Sequence, residues 1–113
     1  MNCSPNSANP STGDESLKET IDDLTRIFDV RYSDKTKLIS VGNAIVTILS
    51  KTSFANITTA TIKALMFLLA TWSRAVRRVF DDALLPITED AELFVLKDCF
   101  EDACRLWYDI EWQ

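Results

Sequence analysis

Histidine is absent from this 113-residue chain, and glycine occurs only twice, at Gly13 and Gly42. Without histidine there is no Ser-His or Cys-His nucleophile pair and no imidazole-ligated metal. With two glycines, no glycine-rich phosphate loop can be built. Cysteine is sparse and odd in number: Cys3, Cys99 and Cys104 show no zinc spacing. Cys99 and Cys104 would lie about 140° apart on a helix, too far round to share a metal or act as a redox pair. Cys104 falls near an apolar stripe and is expected to be a small core residue. Free thiols point to a reducing, intracellular setting, cytoplasmic or nuclear. Long apolar runs are lacking too. The most apolar stretch, Ala64 to Trp72, is closely flanked by Lys63 and Arg74. It falls well short of the about 20 residues a membrane-spanning helix needs. Residues 1–16 are polar, with no apolar leader core.

These absences weigh against catalysis. The carboxylates that remain as candidates, Asp81 with Asp82 and Asp98 with Asp102, lie in hydrophilic stretches where nothing would tune their pKa values. The outward series Asp98, Asp102 and Asp109 reads as a solvated acidic face, since a hard cation needs converging ligands. No catalytic residue, metal or cofactor is expected.

What is present is a helical pattern. The chain is 47% hydrophobic, enough for one globular domain with a core of its own. Residues 1–13 carry Pro5 and Pro10 among small polar residues and read as a flexible tail. Thr12 and Glu15 have capping-box spacing and predict a helix start near Gly13. Residues 14–113 then read as a single helical domain with helices over about 14–30, 34–50, 57–83 and 88–111.

Each helix shows apolar residues at alternating steps of three and four, which keeps them on one face. The stripes run Leu17, Ile21, Leu24, Phe28; then Leu38, Val41, Ile45, Ile48. The third contains Ile62, Leu65, Leu69, Trp72, Val76, Val79 and Ala83. The fourth contains Leu93, Leu96, Phe100, Ala103, Trp107 and Ile110. Ser33 or Asp34 is the expected cap of the second helix and Thr88, after Pro86, that of the fourth. Short connectors, roughly 30–33, 51–56 and 84–87, imply antiparallel neighbours. The expected fold is all-α, an antiparallel four-helix bundle. A third helix of about 40 Å would outrun the first two. It should therefore either kink near Trp72-Ser73 or pack its free part against a second copy in a homodimer.

The net charge of −5 conceals a segregation. Residues 1–30 hold 2 basic and 6 acidic side chains, residues 31–80 hold 8 and 1, and residues 81–113 hold 2 and 10. The middle of the chain is basic and both flanks are acidic. Acidic helices could neutralise the basic ones internally, or the basic residues could form an open surface for an anionic partner. On the third helix, Lys63, Phe67, Arg74 and Arg78 lie opposite the apolar stripe, with Arg77 at its flank. An aromatic within a basic face suits a protein interface or a nucleic-acid backbone with base stacking. The alternative is that Phe67 is core, because Ala64 to Ala70 is apolar almost all round.

Smaller motifs yield less. Trp107 to Ile110 resembles an extended aromatic-x-x-aliphatic motif that adds a strand to ubiquitin-like adaptors, but both residues also fit the helical stripe. Ser11, Thr12 and Ser33 could carry phosphate near helix N-termini. Asn56-Ile57-Thr58 matches a glycosylation sequon that is idle inside a cell. The leading expectation is a non-enzymatic adaptor or regulatory module that binds a protein through Lys63, Phe67, Arg74, Arg77 and Arg78. Nucleic-acid binding by the same face, duplicated in a dimer, comes second; self-assembly as a structural protein comes third.

Overall fold

A computed structural model describes residues 11–27, 34–84 and 86–111. They are all-helical, with no strand among the described residues. Four α-helices follow in order: α1 (Ser11–Ile27), α2 (Lys35–Lys51), α3 (Thr59–Asp82) and α4 (Ala91–Glu111). Short 3-10 turns at Phe54–Asn56 and Ile87–Glu89 occupy the α2–α3 and α3–α4 connectors. Helix α1 begins at Ser11, so Thr12 lies inside the helix and is not its cap. Residues 1–10 of the expected tail, together with Phe28 and Ser33, lie outside the described residues.

The caps follow side-chain chemistry. Asp34 opens α2 and accepts from the Lys37 amide at 2.7 Å. Thr58 opens α3 and accepts from the Thr61 amide. The fourth helix corrects the expectation at Thr88, which sits in the 3-10 turn. Asp90 takes the capping role instead, accepting from the Glu92 and Leu93 amides at 3.0 and 3.1 Å. The 3-10 turn over 87–89 moves the helix start past Thr88, and a carboxylate satisfies the freed amides well.

Two helix pairs make up the packing: α2 lies along α4, and α1 lies along α3. Lys35 reaches Asp90, Thr36 reaches Glu92 and Cys99 reaches Asn43, an almost constant offset of 55 or 56 residues. Helices α2 and α4 therefore run in the same direction. Trp72 of α3 ties this pair to the rest. It is fully buried, donates its indole N–H to the Leu38 carbonyl at 2.9 Å and lies 5.7 Å from the Phe100 ring centroid.

Gly42 makes this possible. A Cβ there would lie 2.5 Å from Cys99 Sγ and 2.6 Å from the Trp72 ring. Side chains tilt toward a helix N-terminus, so any side chain at 42 would also cover the preceding turn and its Leu38 carbonyl.

The apolar stripe of α2 is buried as expected, at Leu38, Val41, Ile45 and Ile48. That of α3 is rotated. Thr61, Leu65, Leu68, Trp72, Ala75 and Val76 are buried, while Ile62, Leu69 and Val79 are half-buried and Ala83 is exposed. Leu68 and Ala75 replace the expected Leu69 and Val79 because the indole at 72 fixes which side of α3 faces α2. Helix α3 is continuous through Trp72-Ser73.

Asp14 joins α1 to the start of α3. It is buried, and its carboxylate accepts from the Thr58 amide at 2.9 Å and from the Thr58 and Thr61 hydroxyls at 3.0 Å each. The amide hydrogen bond from Thr58 is the main reason its pKa falls below the ordinary carboxylate value; burial opposes this, and the two hydroxyls and Lys18 assist.

Gly42→Ala should destabilise the fold by about 1–3 kcal/mol, because overlap with a rigid buried indole outweighs alanine's better helix propensity. A lowered urea midpoint in equilibrium unfolding is the expected result. The lowered pKa of Asp14 gives a second prediction with a fixed sign. Its stabilisation is present above the unfolded-state pKa and is lost as pH falls through the folded-state value. The difference in unfolding midpoint between wild type and Asp14→Asn should thus be widest near neutrality and shrink in acid.

Candidate functional site

The α3 seam that holds Trp72 leaves the opposite face of the helix outward, since residues turn by about 100° each. Lys63, Phe67, Arg74, Arg77 and Arg78 are all exposed there. Phe67 is 58% exposed, so the core alternative for this side chain is set aside. Met66, at 51%, stands beside it on the same face, at helical spacing from Lys63 and Arg74. Ala70 and Asp81 complete the outward row. Arg74, Arg77, Arg78, Asp81 and Asp82 surround a shallow open depression of about 380 Å³.

Ion pairing separates these cations from most others. Lys18 pairs with Asp22, Arg26 with Asp23, Lys97 with Glu101 and Arg105 with Asp102, each within its own helix. Lys35 alone bridges two helices among the described residues, meeting Asp90 at 2.7 Å and Glu92 at 3.9 Å. The Asp90 hydrogen bond raises the Lys35 pKa and lowers that of Asp90. Lys63, Arg74, Arg77 and Arg78 form no ion pair among the described residues. Asp81 and Asp82 are the acidic residues beside these arginines in the depression, and neither forms an ion pair with them among the described residues. Four cations around a phenylalanine and a methionine can hold carboxylates or phosphates on a partner while burying apolar surface against it.

The fourth helix carries a contrasting face. Phe94, Val95, Asp98, Glu101 and Tyr108 are exposed, Tyr108 at 70%. Among the described residues, no group of three or more His, Cys, Asp or Glu side chains is placed to hold a metal ion. Trp107 and Ile110 are helical and partly buried against the core. No described helix is long and apolar enough to cross a membrane.

The cysteines reverse the expectation. Cys99, not Cys104, is the core residue; Cys104 is exposed. The contact of Gly42 with Cys99 draws that side of α4 inward. Burial pushes the Cys99 thiol up to about 11, with a smaller contribution from the Asp102 charge. Burial also raises Cys104, against which the Arg77 charge acts and with which Glu101 acts.

No protein-family model, no curated protein and no solved structure matches the chain.

In a Cys3→Ser background, a thiol reagent at mildly alkaline pH should modify Cys104 readily in the native protein. Cys99 should react only as the chain unfolds, because its thiolate is disfavoured and its sulfur is enclosed. Mass spectrometry of peptides after a timed pulse reads the two sites separately.

Proposed function

We propose that this protein is a small non-enzymatic helical module, an adaptor or regulator, that binds a protein partner through the outward face of α3. The observation that carries this reading is the set of exposed cations with no ion pair among the described residues, Lys63, Arg74, Arg77 and Arg78, around exposed Phe67. An exposed aromatic beside arginines is the composition that dominates protein interface energetics. In this reading the four helices form a bundle whose sequence neighbours run antiparallel. Its short connectors and the common direction of α2 and α4 support that arrangement. The bundle acts as a rigid mount: α3 is fixed by Trp72 and Asp14 on one side and free on the other.

The partner is expected to be acidic, since the face is basic and electrostatic complementarity sets both encounter rate and choice of partner. Nucleic acid is the second reading, favoured by the same unpaired arginines with Phe67 as a stacking surface. It is opposed by the net charge of −5.

The test is affinity capture with wild type, Phe67→Ala and Arg74→Glu/Arg78→Glu. These are exposed positions, and far-UV circular dichroism should show an intact helical fold. A bound protein that is lost with both variants is the expected result; equal capture by all three chains would overturn the surface assignment. Filter binding of RNA and DNA addresses the second reading. Retention whose logarithmic affinity falls steeply with log salt would favour nucleic acid instead.

A further inference from the structure

The outward row of α3 and the outward row of α4 are complementary in charge and in register. On α3 the row reads Phe67, Ala70, Arg74, Arg77, Asp81, and all five are exposed. On α4, read from the C-terminal end, it is Tyr108, Arg105, Glu101, Asp98, Phe94, also all exposed. Both rows advance by the same steps of three, four, three and four. Laid antiparallel, Phe67 meets Tyr108, Arg74 meets Glu101 and Arg77 meets Asp98. Ala70, small and uncharged, faces Arg105, so no like charges meet in the row.

We propose that the occupant of the α3 face is a second copy of this chain, seated through the outward face of α4 in that antiparallel register. This inference rests on the reading of the α3 face as a protein interface, and it names the partner.

Three observations favour a second copy. Arg74 and Arg77 have no ion pair among the described residues, and neither does Asp98. Among the described residues Glu101 is paired with Lys97 alone, an exposed pair one helical turn away at 3.0 Å, which exchanges readily for a partner's guanidinium. Phe67 and Tyr108 are 58% and 70% exposed, and an aromatic pair across the contact would shelter both rings. Because every copy carries both rows, the contact made reciprocally closes a twofold dimer, whereas made once it propagates head to tail.

Sedimentation velocity across low to high micromolar concentrations tests the proposal with three chains. Wild type should shift to faster-sedimenting species as concentration rises. Arg74→Glu/Arg77→Glu should lose that shift, and so should Asp98→Arg/Glu101→Arg. The two reversed chains should associate when mixed, since each then meets its opposite on both helices. Circular dichroism of each variant confirms that the helices are retained. A wild type that stays monomeric at high micromolar concentration would overturn the proposal, as would association that survives either reversal or a mixture that fails to associate. A monomer that still loses a captured partner on Arg74→Glu/Arg78→Glu would leave the protein-interface reading standing and remove only the second copy.

Discussion

Trp72 packs closely against Gly42, and the arrangement of the helices depends on that contact. The indole is fully buried, meets the backbone of α2 at the Leu38 carbonyl and packs beside Phe100 of α4. Three helices thus converge on one ring. With any larger residue at 42 the ring would have to withdraw, its N–H would lose its acceptor, and a buried unsatisfied donor costs free energy of its own. Cys99 crowds the same glycine, so the close passage of α2 and α4 and the seating of α3 are one packing problem. Once that ring is placed, the rotation of α3 is fixed, and with it the identity of every residue on the opposite face.

A second contact holds α1. Asp14 accepts from the Thr58 amide and two threonine hydroxyls at once, which is how its carboxylate can be buried, with the Lys18 charge a minor help. It also places negative charge at the start of α3, where the helix dipole favours it. The staple at the start of α4, Lys35 with Asp90 and Glu92, performs the corresponding task between α2 and α4 with a true ion pair. These three contacts are buried or half-buried, whereas the other ion pairs among the described residues lie on exposed turns of single helices and contribute little to the fold. The two sides of α3 thus differ: the seam of Thr61, Leu65, Leu68 and Trp72 faces inward, and the arginines face out.

Much of this was legible from spacing. The helices, the buried stripe of α2 and the outward position of Lys63, Phe67, Arg74, Arg77 and Arg78 on α3 follow from a period of 3.6 residues, and the α2 cap, at Asp34 of the two candidates Ser33 and Asp34, from side-chain chemistry. Asp14 was not legible as a buried residue, because a first-turn aspartate normally faces water and its partners lie 44 and 47 residues away. Cys104, expected in the core, is exposed for a similar reason, and Cys99 is the buried one. Periodicity gives the centre of a helix face, but a residue at its margin is turned in or out by whatever packs beside it.

The amino-acid sequence by itself determined the helices, because local periodicity, capping chemistry and proline placement act over a few residues. It also determined the segregation of charge, and it excluded imidazole chemistry outright, since no histidine is present. The tertiary structure alone decided the exact rotation of α3, which turns Leu68 and Ala75 inward where Leu69 and Val79 were expected. That rotation depends on a glycine in α2 admitting an indole from α3 beside a sulfur from α4, and contact between atoms so distant along the chain has no periodic signature.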